Sequence, residues 1–124
     1  NFETNSAPFI QYSHARTCNI LKRVPDAPEP GYGELDADKE RELVNLIAQF
    51  PEVFERAADE LQPSNLTAYA NMLADKFNSF YATQSVLNAE TKGLQGARIK
   101  VVDATRITLR NALEVLGIDA PLRM

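Results

Sequence analysis

Apolar residues recur every three or four positions along most of the chain, a spacing that predicts helices rather than strands. From Ala7 to about Val24 they fall on nearly every turn with no glycine inside, and Pro8 stands where a first helical turn tolerates it. Pro25, Pro28, Pro30, Gly31 and Gly33 then make a segment that cannot hold a helix and has little to bury, so a surface loop is expected. A second helix starts with Asp36 or Asp38 as its cap, places Glu40 and Glu42 near its positive end, and carries Leu43, Leu46, Ile47 and Phe50 on one face. Pro51 opens a short third helix in which Phe54, Ala57, Ala58 and Leu61 repeat the pattern as far as Pro63. Ser64 caps the clearest helix of all, whose stripe runs through Leu66, Tyr69, Ala70, Leu73, Phe77, Phe80 and Tyr81. Gly93 and Gly96 are expected to break the chain before a last helix from about Ala97 to Leu116. That helix buries Val102, Leu109, Leu113 and Leu116 and stops at Gly117. No segment alternates with period two and none repeats, so the expected fold is an all-α bundle of about five helices.

A chain of 124 residues with 44% hydrophobic content suits one domain, spanning 1–124, with a single modest core. The lone Cys18 cannot form an intramolecular disulfide and fits a reducing compartment, which makes cytoplasmic the expected location. No run approaches the roughly 20 apolar residues of a membrane span, so no membrane partner is expected. The opening Asn1-Phe2-Glu3-Thr4-Asn5 lacks the regions of a signal peptide, and the missing initiator Met suggests a piece excised from a larger protein.

The net charge of -4 argues against a protein that binds nucleic acid chiefly by neutralising phosphates. The charge is unevenly spread, however. Residues 1–25 hold Glu3 against Arg16, Lys22 and Arg23; residues 26–62 hold eleven acids against three bases; residues 63–124 hold five acids against seven bases. The acidity belongs to the second and third helices and is expected to face away from any anionic partner, leaving a mildly basic surface on the first helix and the last two.

On the first helix Phe9, Tyr12 and Arg16 are spaced i, i+3, i+7, so two aromatic planes and a guanidinium share one face. Such a row suits the splayed bases of an RNA loop. The same spacing also suits core aromatics beside a surface charge, and spacing alone favours that assignment. Ile10, His14, Thr17 or Cys18, and Leu21 supply a separate face that could pack inward. His14 and Cys18, one turn apart, could share a metal, but two further ligands of the usual types are not evident and no metal is expected.

The run Pro8-Phe9-Ile10-Gln11-Tyr12-Ser13-His14-Ala15-Arg16 resembles the P-Y-x-Q-Y-A-H-A-R type of segment that opens the anticodon-binding (DALR-type) domain of arginyl-tRNA synthetases. The likeness continues through Pro63-Ser64-Asn65-Leu66 and Phe77-Asn78-Ser79-Phe80-Tyr81. It runs on from Ala97-Arg98-Ile99 to Leu116-Gly117-Ile118 and the closing Pro121-Leu122-Arg123-Met124, similar to the family's P-x-R-M ending. The chain departs from the pattern in having Phe9 where Tyr is common and Leu122 where Glu is common.

The resemblance implies a helical domain of the class I synthetase type that reads the anticodon loop of arginine tRNA and presents that tRNA to a catalytic domain of the same parent chain. Carried over by position, Phe9, Tyr12, Tyr81 and Met124 would line the apolar side of the site, with Gln11, Arg16, Asn78 and Arg123 as candidates for polar contacts to RNA. The H-I-G-H-like and K-M-S-K-S-like segments that activate the amino acid are absent, so this chain alone is not expected to catalyse. No catalytic residue or cofactor is implied here, whereas the parent arginine-tRNA ligase would use ATP and arginine. The competing readings are a helical protein-interaction domain and the anticodon domain of a cysteinyl or glycyl synthetase.

Overall fold

A computed structural model describes residues 2–60 and 63–124, with side chains from residue 7 onward. The order is α1 (Phe2–Lys22), a 3-10 turn (Tyr32–Glu34), α2 (Asp38–Ala48), α3 (Phe50–Glu60), α4 (Pro63–Thr83) and α5 (Lys92–Val115), with no strand among the described residues. α4 is the central post, packing against each of the other four, while α1 also lies along α5. Its buried Leu66, Tyr69, Ala70, Leu73, Ala74, Phe77 and Phe80 explain why: apolar residues cover enough of its circumference to serve several neighbours, and Ala70 and Ala74 let them come close. Ile10 and Ile20 of α1, Leu43 and Leu46 of α2, Ala57 of α3 and Val102, Leu109 and Leu113 of α5 complete the core. The expected all-α bundle is thus the fold, and Leu61, assigned above to the stripe of the third helix, lies outside the described residues.

Gly93 and Gly96 depart from expectation. Both lie inside α5, which starts at Lys92 with Thr91 as its cap, the Thr91 hydroxyl accepting from Leu94 N–H at 3.0 Å. They are glycines because the loop after α1 presses onto them. A Cβ on Gly96 would collide with the Pro28 carbonyl oxygen and lie 2.9 Å from that of Glu29, and Gly31 N–H donates to the Gly93 carbonyl at 2.8 Å. A helix tolerates about 1 kcal/mol per glycine where a close approach of backbone offsets it.

The start of α2 also differs. Ala37, not Asp36 or Asp38, is its cap residue, and the Ala37 N–H donates to Oε1 of Glu40 at 3.0 Å, half of a capping box. Pro63 is the first residue of α4, where its missing N–H costs nothing, so Ser64 is inside the helix rather than capping it. α1 begins at Phe2 rather than at Ala7, which puts Pro8 inside the helix rather than in its first turn.

One interior contact is ionic. Arg98 of α5 donates from Nε to Oε2 of Glu40 at 2.6 Å, and its two other nitrogens donate to the Ser85 carbonyl at 2.6 Å and the Gln84 side-chain oxygen at 3.0 Å. Glu40 is 1% exposed and Arg98 7%. The pair ties the first turn of α2, the α4–α5 connection and α5 into one corner.

α5 stops as the sequence indicates. Gly117 has φ +74°, its N–H donates to the Glu114 carbonyl at 3.0 Å and the next N–H, of Ile118, donates to Leu113 at 2.9 Å. This is a Schellman turn, and it sends residues 118–124 back over α1.

Candidate nucleic-acid interface

One side of α1 forms, with the tail, a cleft of about 400 Å³ lined by Tyr12, Ala15, Arg16, Asn19, Lys22, Leu122, Arg123 and Met124. Four of the sequence candidates therefore meet here: Tyr12, Arg16, Arg123 and Met124. Tyr12 is 51% exposed and Met124 67%, so an aromatic plane and a thioether stand free beside three cationic side chains. Among the described residues no acidic side chain lines the cleft, and none of its lining comes from the acidic stretch 26–62.

Arg16 is held in place. Its NH1 donates to the Asn78 side-chain oxygen at 2.7 Å, and its guanidinium carbon lies 4.8 Å from the centre of the Tyr81 ring. Asn78 in turn donates from Nδ2 to the Ser13 hydroxyl and to the Ala74 carbonyl, both at 2.9 Å, which fixes its oxygen toward Arg16. The Tyr81 ring stacks against Phe77 with centroids 6.1 Å apart and planes 15° from parallel. Asn78 and Tyr81 thus form a support beneath the cleft, and the Tyr81 face under the guanidinium is already occupied. An arginine held by a hydrogen bond and a ring face has fewer rotamers to lose when it meets a ligand.

The other two candidates lie elsewhere. Phe9 is half-buried and packs against the core cluster, outside the cleft lining. Gln11 donates its amide to the Asp119 carbonyl at 2.9 Å. Beside it, His14 is 1% exposed and its Nδ1 lies 3.0 Å from the Pro121 carbonyl. A carbonyl only accepts, so Nδ1 carries the proton and the other ring nitrogen faces Cys18 Sγ at 3.9 Å as an acceptor. Burial lowers the His14 pKa below its ordinary value, with the positive charges of Arg106 and Arg110 acting in the same direction and the Pro121 bond opposing them.

Sequence reasoning missed Ala15, Asn19 and Lys22, although they continue the Tyr12–Arg16 stripe at helical spacing, and it missed Ser13, whose hydroxyl sets the Asn78 amide.

Comparison with known proteins follows the same outline. The sequence profile of the family described as DALR anticodon binding domain matches residues 10–124. The arginine-tRNA ligase of Methanothrix thermoacetophila is 48% identical over 124 residues, covering 100% of this chain and 22% of that protein. Those of Haloarcula marismortui and Pyrococcus abyssi are each 45% identical, over 126 and 130 residues, with 22% and 20% of their lengths covered. Among solved structures, Thermus thermophilus arginyl-tRNA synthetase superposes with a TM-score of 0.89 and 32% identity over 94% of this chain and 21% of its own. The chain spans about a fifth of the length of these relatives. Among the described residues no helix is long and apolar enough to cross a membrane.

Proposed function

Because the chain belongs to the DALR anticodon binding domain family, we propose that its cleft takes the anticodon loop of arginine tRNA and holds that tRNA for aminoacylation by a catalytic domain elsewhere in the parent chain. The observation that carries this reading is the make-up of the cleft: an exposed ring, Tyr12, beside a guanidinium already fixed, Arg16, with Lys22 and Arg123 present and no acid in the lining among the described residues. Bases splayed from an RNA loop stack on aromatic and guanidinium planes, at about 1 to 3 kcal/mol per base. In this reading Tyr12 supplies the stacking plane, Arg16 and Arg123 donate to base edges or phosphates, and Met124 fills space beside a base. Tyr81 and Asn78 act by holding Arg16.

A net charge of -4 is compatible with this division of labour, since stacking and directed hydrogen bonds do the reading locally and the parent chain supplies further phosphate contacts. ATP and arginine belong to the catalytic domain, and cytoplasmic placement follows from the same proposal. The relatives' names favour an arginyl enzyme over a cysteinyl or glycyl one. Titration with an arginine tRNA transcript and with one altered at the central anticodon base tests the reading. Affinity is expected to fall about fivefold or more with the altered base, as for a lost base contact of about 1 to 3 kcal/mol. Equal affinity for both transcripts would leave a helical protein-interaction domain as the better account.

A further inference from the structure

Three of the eight residues lining the cleft come from the last three of the chain, a segment that follows the Schellman turn and belongs to no helix. What holds such a segment as a wall is therefore a question of its own. Ile118, Ala120 and Pro121 are half-buried, whereas Leu122 and Met124 beyond them are 64% and 67% exposed. The tail is thus seated as far as Pro121 and stands free after it.

The seat is polar and specific. Gln11 Nε2 donates to the Asp119 carbonyl at 2.9 Å, and His14 Nδ1 donates to the Pro121 carbonyl at 3.0 Å. The donors are three residues apart, so one turn of α1 presents both on the same side. The acceptors are alternate residues of the tail. Two side chains on one helical turn therefore pin two successive alternate carbonyls. Neither donor is part of the cleft lining.

We propose that Gln11 and His14 are positioning residues that clamp the tail onto α1, so that Leu122, Arg123 and Met124 stand as a preformed wall before RNA arrives. The inference rests on the anticodon reading for its purpose, but the clamp itself is a property of the free protein. It transfers the ordering cost of the tail from the binding step to folding, which is how preorganisation raises affinity without a new contact to the ligand. It also gives His14 a reason to be a buried neutral imidazole: only a fixed Nδ1–H can serve the Pro121 carbonyl while the ring sits in the core.

The test uses the whole protein that carries this domain, labelled with 13C-methyl methionine, the Met124 signal being assigned by its loss on deleting residues 122–124. Gln11→Met keeps the side chain's length and removes the donor. It is expected to narrow the Met124 methyl resonance and move it toward the random-coil position in the absence of RNA. The Kd for arginine tRNA should rise about fivefold to tenfold, the scale of one hydrogen bond. In the truncated protein the same substitution should leave the Kd unchanged, because the wall it positions is gone.

A Met124 resonance unaltered by both Gln11→Met and His14→Leu would overturn the clamp. So would an equal loss of affinity before and after truncation, which would mean that Gln11 touches RNA itself. A loosened tail in a protein whose wild type ignores the anticodon would instead retain the clamp and remove its assigned purpose.

Discussion

Replacing Arg98 by methionine tests the buried ion pair directly. Methionine keeps roughly the length of the arginine stem, so little packing is lost, but the guanidinium's bonds to Glu40 at 2.6 Å, the Ser85 carbonyl at 2.6 Å and the Gln84 side chain at 3.0 Å disappear together. Glu40, 1% exposed, then keeps its bond from Ala37 N–H at 3.0 Å but has no counter-charge. Removing one partner of a buried pair costs about 3 to 5 kcal/mol because the remaining charge is stranded. For a domain of typical stability, about 5 to 15 kcal/mol, that is a large share. Urea unfolding followed by far-UV circular dichroism measures it, with Glu40→Gln and the double variant closing a thermodynamic cycle. If the stranded carboxylate is the cause, the double variant is more stable than Arg98→Met alone. A loss under about 1 kcal/mol would refute the reasoning, since a solvated surface pair costs that little. So would a double variant less stable than Arg98→Met.

The chain's only histidine makes the region near pH 6 easy to assign. The pKa of His14 is lowered in the fold by burial and by Arg106 and Arg110, so between that lowered value and 6.5 the unfolded chain binds more protons. Stability is therefore full above pH 6.5 and falls as pH drops below it, by at most about 1.4 kcal/mol per pH unit, and His14→Leu should flatten that limb of the curve. Gly96→Ala forces a Cβ against the backbone oxygens of Pro28 and Glu29 and should cost about 1 to 3 kcal/mol. Gly33→Ala, with nothing within 4 Å, should shift stability by less than about 0.5 kcal/mol, and a melting comparison of the two variants settles the point. Arg16→Lys keeps the charge but loses the planar contact with Tyr81 and the fork that engages Asn78. We expect about tenfold weaker tRNA binding with little change in melting temperature, and a lysine variant that binds normally would leave the support beneath the cleft without a role.

Periodicity made the bundle legible because burial of one face is what sets it. The Leu66–Phe80 stripe and the Leu43–Leu46 pair are in the core, and Tyr12 and Arg16 face the cleft. What periodicity reports is a face, not a partner. Gln11 and Asn78 are polar residues on the expected helices, yet their amides serve the Asp119 carbonyl and the Ser13 hydroxyl, bonds spanning 108 and 65 residues that no local pattern encodes. Gly93 and Gly96 misled for a related reason. A glycine that ends a helix and one that admits another strand of backbone look alike until the loop at Pro28 is seen against α5. Glu40 reads as a first-turn acid and is one, through Ala37, but its second oxygen belongs to Arg98 across the core. Phe9 shares its stripe with Tyr12 by spacing, though its ring leans onto the core cluster.

The packing of α1 along α5 bears on how the domain is assembled in time. α2, α3 and α4 follow one another closely and can find their contacts with short loops, whereas joining the first helix to the last closes a loop containing most of the molecule. Such non-local contacts are entropically costly to start and slow the folding of otherwise helical chains. The bonds from Gln11 and His14 to the tail lie just beyond the end of α5 and span 108 and 107 residues, so the wall of the cleft depends on contacts of equally large sequence separation. A partial opening that parts α1 from α5 while α2, α3 and α4 stay packed together would dismantle the cleft in a single event.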